Sequence, residues 1–177
     1  PIGQGLLEKI TASPQSRLVV LGWMDAGTRN VYSNKPVTKP EDLKGQKIRM
    51  MGNPLFVETM NAMGGNGVAM GFNELYGALQ TGVVDGTENP PSNMYTQKMF
   101  EVQNNATLSD HGYLGYAVIV NKKFWEGLPG DVRAGLDKAM QEATVYANQI
   151  SQKDNDDALA AMKATGQCAF RCTQRNA

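Results

Sequence analysis

Three residues stand where an extended segment gives way to a turn, and all three carry side chains suited to holding an anion: Arg29, Arg49 and Asn89. Arg49 closes the short run Gln46-Lys-Ile-Arg-Met50, just ahead of Gly52-Asn-Pro54, a helix start. In open α/β sheets, ligands sit in the crevice beyond the carboxyl ends of the strands. A guanidinium placed there presents a planar fork that meets a carboxylate with two parallel hydrogen bonds. A salt bridge to a neighbouring acid is the competing use of one such arginine. Two guanidiniums and an amide in similar positions favour an anion site.

Catalytic equipment is sparse by comparison. His111 is the single histidine, flanked by Asp110 and Gly112 in turn-like sequence, and reads as a hydrogen-bonding residue rather than a general base. An enzyme using His111 or Glu88 as acid or base on a small acid is the alternative from another functional class. No Gly-x-Ser-x-Gly elbow, His-Glu-x-x-His or Cys-x-x-Cys occurs. Gly65-x-Gly67 with Gly71 mimics part of a dinucleotide fingerprint, but it follows a helical segment and precedes an extended one. A phosphate cradle needs the opposite order, so no nucleotide and no other cofactor is expected. Cys168 and Cys172 would close only a tiny loop as a disulfide, and a metal site would need more ligands than His111 supplies. They are expected to be two thiols in a poorly ordered tail, with no metal.

The 177 residues suit one ordinary domain or a lopsided pair of lobes, and a 41% hydrophobic content is enough for a core. Lys plus Arg is 17 and Asp plus Glu is 17. That balance argues against nucleic acid as a partner, since phosphate neutralisation needs a cationic surplus. The charge is uneven, however. Residues 1–60 hold eight basic and five acidic groups, whereas residues 61–120 hold one basic and five acidic. The counter-charge for an anion therefore comes mainly from the first third. Apolar runs such as Leu18–Leu21 and Tyr116–Val120 fall far short of the ~20 residues of a spanning helix, so no membrane insertion is expected. The chain begins at Pro1 without a leader-like segment and reads as a mature product or an internal fragment.

These side chains must be positioned by short alternating elements. Arg17–Trp23 reads as a strand ending at a glycine, Asp25-Ala-Gly27 as a break, and Arg29–Ser33 as a second extended piece. Pro40 opens a single helical turn that Gly45 ends, and Gln46–Met50 is a short strand. Asn53-Pro54 caps a helix through Met63, followed by a brief strand at Val68–Met70 and a helix that Asn73 caps and that runs through Gln80. Asp85-Gly86 is a turn, and Pro90-Pro91 interrupts regular structure ahead of a helix over 92–100. A strand-rich stretch over 106–120 is broken at His111-Gly112, and Asn121 caps a short helix. From Asp131 to about Thr165 runs one long helical pattern of about 50 Å at ~1.5 Å per residue, long enough to straddle two lobes. The architecture expected is α/β.

Four separated segments carry a resemblance. Gly22-Trp-Met-Asp-Ala-Gly-Thr-Arg29, Lys39-Pro-Glu-Asp-Leu-Lys-Gly-Gln-Lys-Ile-Arg49, Glu74-Leu-Tyr-Gly-Ala-Leu-Gln-Thr-Gly-Val-Val-Asp-Gly-Thr-Glu-Asn-Pro90 and Val120-Asn-Lys-Lys-Phe-Trp-Glu-Gly-Leu-Pro129 occur in this order. Over about residues 15–166 the chain resembles the solute-binding component of tripartite ATP-independent periplasmic (TRAP) transporters, the DctP type. The resemblance implies part of a type II periplasmic-binding-protein fold with two lobes. Residues 1–28 would be a remnant of the first lobe with a hinge strand, 29–120 the second lobe, 121–166 a short helix and a lobe-spanning helix, and 167–177 an atypical tail.

The resemblance further implies a periplasmic receptor that captures a small organic acid and delivers it to the sodium-driven TRAP membrane permease subunits. Carried over position by position, Arg49 would pair with the substrate carboxylate and Asn89 would hydrogen-bond it. Arg29 would be a second arginine near the cleft, and Phe72 an aromatic packing on the ligand. Some members hold their acid through a metal bound beside a tryptophan. Glu88-Asn89-Pro90 has no such tryptophan, so no metal is implied. Members are longer than this chain, and a truncated, non-transporting interaction module is the second alternative.

Overall fold

A computed structural model describes residues 2–172. They form two compact units, one from the residues up to Gly27 with Gly115–Gln152, the other from Thr28–Leu114 with the residues from Lys153 onward. The second unit is completed by the last part of the long helix and the strand after it. Three elements run from one unit into the other: the strands β1 (Leu18–Ser33) and β5 (Asn105–Asn121), and the helix α6 (Gly130–Thr165).

Both strands are longer than the sequence suggests, because the expected breaks are absorbed without ending them. Gly27 sits at φ +100° inside β1, where its N–H donates to Asp25 Oδ1 at 2.8 Å. Asp110 takes φ +44° inside β5, with Thr28 Oγ1 donating to its carboxylate at 2.9 Å and its own N–H donating to Asn30 Oδ1 at 3.1 Å. Glycine adopts positive φ freely, and aspartate is among the few other residues that tolerate it. Each strand therefore kinks and continues.

In the second unit the sheet order is β3-β2-β4-β1-β5-β6, with β2 at Lys47–Met50, β3 at Asn66–Ala69, β4 at Gly86–Asn89 and β6 at Ala169–Cys172. β2 is parallel to both β3 and β4, β1 is antiparallel to β4, and β5 is parallel to β6. The helix α2 (Pro54–Ala62) connects β2 to β3 and covers one face. There Phe56, Val57 and Met60 pack with Val31, Ile48 and Met50. The helix α3 (Leu75–Gln80) covers the other, where Leu75 and Leu79 join Tyr32, Met94 and Met162.

Local sequence explains the starts of these helices. Asn53 Oδ1 accepts from Leu55 N–H at 2.9 Å, and Pro54 occupies the first turn of α2, where a missing N–H costs nothing. Asn73, expected as a cap, instead lies inside a 3-10 turn over Phe72–Glu74 that leads into α3. Pro90-Pro91 does not hold off regular structure: Pro91 is the first residue of helix α4 (Pro91–Thr96). Asn155 Oδ1 on α6 accepts from Ser92 N–H at 3.1 Å and so satisfies one free donor of that helix start.

β4 is the element that the sequence conceals. Its residues Gly86-Thr-Glu-Asn89 carry no apolar pattern, yet all four are buried between β1 and β2. Gly86 is required by proximity: an added Cβ would lie 2.4 Å from Tyr32 O and 3.0 Å from Ile48 Cδ1. Gly86→Ala is expected to lower the unfolding free energy by about 2–3 kcal/mol through this overpacking, a shift in midpoint that urea denaturation reads directly. An unchanged midpoint would overturn the packing argument.

The first unit holds helix α1 (Ile2–Ala12), the outer parts of β1 and β5, helix α5 (Lys122–Glu126) and the first part of α6. Asn121 Oδ1 caps α5 by accepting from Phe124 N–H at 3.1 Å. Asn148 on α6 fastens β1 from both sides of its amide, accepting from Asp25 N–H at 2.7 Å and donating to Trp23 O at 3.0 Å. The helix runs 36 residues, as its periodicity predicts.

The tail departs from expectation. Cys168 is not in a poorly ordered segment but is buried against Tyr32, Met99 and Met162, and β6 follows it directly. The side chain of Cys172 and residues 173–177 lie outside the described residues. Burial pushes the Cys168 thiol up to about 11 from its ordinary value of 9.0. Because the folded state holds this proton more tightly, the associated stability is intact below about 9 and is lost as pH climbs toward about 11. Peptide-mapped alkylation at pH 8 is expected to leave Cys168 unmodified in the native protein and to label it fully in urea, since only the exposed thiolate reacts. Rapid native labelling would contradict the burial.

Candidate functional site

Strand register sorts the polar residues of the second unit onto two faces. Arg49 lies opposite Thr87, which in turn lies opposite Tyr32, while Asn89 lies opposite Asn30. Side chains alternate along a strand, so Arg49, Thr87 and Asn89 share the face covered by α3. Glu88 lies opposite Val31 and, with Arg29 two residues before, belongs to the face covered by α2.

On the first face, Arg49 is 3% exposed. Its Nε donates to Met70 O at 2.9 Å, just past β3, and its guanidinium carbon stands 5.6 Å from the centre of the Phe72 ring. Among the described residues, the two Nη groups have no hydrogen-bond partner. Burial lowers the Arg49 pKa from its ordinary value; Glu88 opposes that shift and Arg29 reinforces it. An arginine does not shed its proton to escape burial, so it remains a cation with unused donors.

Asn89 ends β4 and is also buried. Its Oδ1 accepts from Asn93 Nδ2 at 3.1 Å, while its own Nδ2 is buried with no partner among the described residues. Thr87 Oγ1, on the same face, is likewise buried and unpartnered. Buried polar groups are nearly always hydrogen-bonded, so a guanidinium edge, an amide donor and a hydroxyl left open on one face form a polar set awaiting an acceptor. Thr87 was not among the residues read from sequence. Its signal lay in the alternation of β4, which becomes visible only once that segment is known to be a strand.

Arg29, expected as a second arginine near the cleft, has its guanidinium occupied within the protein. Its Nε and Nη2 donate to the two carboxylate oxygens of Glu88, and its guanidinium carbon stacks 4.0 Å from the centre of the Phe56 ring. Its fork is therefore filled by an internal acid, the arrangement that Arg49 avoids. Glu88 is fully committed in turn, with His111 Nε2 at 3.6 Å from one oxygen and His111 Nδ1 sharing a hydrogen bond with Ser109 Oγ at 2.7 Å. The structure thus brings Arg49, Phe72 and Asn89 to one face and sets Arg29 on the other. Among the described residues, no three His, Cys, Asp or Glu side chains cluster to hold a metal. No helix of the described residues is long and apolar enough to cross a membrane.

Residues 1–176 match the family model DctP, bacterial extracellular solute-binding protein, family 7. The chain belongs to this family. DctP proteins are solute receptors rather than enzymes, which removes the acid–base alternative for His111 and Glu88. The chain is 54% identical, over 95% of its length, to the C4-dicarboxylate-binding periplasmic protein DctP of Rhodobacter capsulatus, and covers 50% of that protein. Its fold matches a TRAP periplasmic solute-binding protein from Citrobacter koseri with bound D-glucuronate (TM-score 0.92, 40% identity), with 98% of this chain aligned to 57% of that one. A TRAP periplasmic solute-binding protein from Sulfurospirillum deleyianum with bound succinate is similar at TM-score 0.91 and 41% identity, over 98% of this chain and 57% of that one. The chain spans about half the length of the DctP relatives it matches, and the expected fold, part of a TRAP-type periplasmic binding protein, is the one these structures carry.

Proposed function

We propose that this DctP chain supplies the carboxylate-gripping part of a periplasmic receptor that captures an organic acid and hands it to a sodium-driven TRAP permease. The observation that carries the reading is the open guanidinium edge of Arg49, buried on the same sheet face as the Nδ2 of Asn89, which has no partner among the described residues. A carboxylate set against that edge accepts two hydrogen bonds from Arg49 and one from Asn89, while Phe72 supplies a flat apolar surface for the carbon skeleton. Arg29 acts one step removed: paired with Glu88, its charge is balanced and it offers no second fork. The similar proteins named for C4-dicarboxylates, or solved with succinate or D-glucuronate, all concern ligands with at least one carboxylate and make succinate the first ligand to test.

Thermal unfolding in increasing succinate and, separately, D-glucuronate tests the reading. A ligand bound only by the native state raises the midpoint with concentration, by ~2.7 kcal/mol of stability at a hundred times Kd. No rise with either acid would set the proposal aside for this chain.

A further inference from the structure

The unit that holds Arg49 has a concavity on the face covered by α2, and neither Arg49, Asn89 nor Phe72 lines it. It encloses about 620 Å³, within the usual range of small-molecule sites (~300–1,000 Å³). Val31, Val37, Leu43 and Met63 form an apolar wall, and Ser109 and His111 from β5 form its polar part.

Most of the other polar groups around it are already used. Thr38 Oγ1 donates to Asp42 Oδ2 at 2.9 Å, and Thr107 Oγ1 donates to Val37 O. His111 is engaged through Nδ1 with Ser109, and its Nε2 faces Glu88, which is itself neutralised by Arg29. The remaining charges, Lys39 and Glu41, are of opposite sign and exposed. Two hydrogen-bonding stations are left among the lining side chains: His111 Nε2, buried without a hydrogen-bond partner among the described residues, and Ser109. Its hydroxyl has a single proton and two acceptor positions, so the 2.7 Å contact with His111 leaves it able to bond a second group.

An apolar wall, balanced charge and two neighbouring polar stations select against an anion and for a compact neutral molecule. We propose that this cavity is a second binding site, distinct from the Arg49 face, for a small uncharged ligand with an apolar body and one hydroxyl. The body fills the space between Val37, Leu43 and Met63, and the hydroxyl bonds Ser109 Oγ.

Phenol is the probe. Titrated into the intact chain and followed by amide and imidazole NMR, it is expected to shift the Ser109 and His111 signals saturably. Ser109→Ala should weaken phenol at least about fivefold, the loss of one hydrogen bond. Met63→Trp, a half-buried position whose larger ring fills the cavity, should abolish the saturable shift. Succinate titrated into the same samples reports the Arg49 site independently, and its response should survive Ser109→Ala. Absence of a saturable phenol shift at Ser109 and His111 in the unmodified chain, or equal phenol affinity in both variants, would overturn the site whatever succinate does.

Discussion

Replacing Arg49 with methionine is expected to eliminate carboxylate binding while making the ligand-free protein more stable. The two halves of this result have one cause. Arg49 is a buried cation of which, among the described residues, Nε alone is hydrogen-bonded, so the unliganded fold bears a desolvation cost that an apolar side chain of similar volume relieves. With a carboxylate present, two charge-assisted bonds of ~1.5–3 kcal/mol each form at the same edge, a total of roughly 3–6 kcal/mol. At ~1.4 kcal/mol per tenfold, their removal weakens binding at least about a hundredfold. Arg49→Lys should lose at least about tenfold, since an ammonium retains the charge but not the fork. Calorimetry with succinate measures the affinity, and urea denaturation without ligand measures the stability. Unchanged affinity in Arg49→Lys would remove Arg49 from the site. A large loss of ligand-free stability in Arg49→Met would mark it as a structural residue instead.

Breaking the pair on the opposite face is expected to have the reverse signature. Glu88→Ala leaves the Arg29 guanidinium, 4% exposed, without its carboxylate and with only the Phe56 ring against it. Loss of one member of a buried ion pair costs about 3–5 kcal/mol, a large part of the stability of a domain this size. The double variant Arg29→Met with Glu88→Leu removes both charges at once and should recover most of that loss, because the penalty belongs to the stranded charge and not to the missing attraction. Urea denaturation of the two singles and the double gives the coupling. If Glu88→Ala unfolded at the same midpoint as the unmodified chain, the pair would carry no structural weight.

How much of this was legible beforehand depends on whether the cause was local. The caps at Asn53 and Asn121 act within three residues, and the long helix repeats its pattern over ten turns, so all three could be read from the chain alone. β4 could not, because Gly86-Thr-Glu-Asn89 is a strand only by virtue of the neighbours that pair with it on both sides. Missing β4 had a direct effect on the site. Without a strand there, nothing placed Glu88 and Asn89 on opposite faces, and Arg29 and Arg49 looked like members of one group. The resemblance drew attention to all four candidate residues, but only the register separates an arginine already satisfied by a partner 59 positions away from one left open. The breaks expected at Asp25-Ala-Gly27 and His111-Gly112 failed for a related reason. A single positive-φ residue, Gly27 held by a bond to Asp25 and Asp110 by long-range bonds to Thr28 and Asn30, bends a strand without ending it.

The short strand β6 has a practical consequence. It runs alongside Asn105–Leu108 at the rim of the sheet, anchored by Ala169 N–H on Asn104 O at 2.9 Å, directly after Cys168 enters the core. A shortened product cut at Thr165, where a helix ends and a boundary looks natural, would strip that rim. It would bare a row of amides and carbonyls beside freshly wetted Met162 and Tyr32, a ready template for another molecule's strand. These few residues cover the edge of β5 and the core beneath it, so trimming sites belong beyond them.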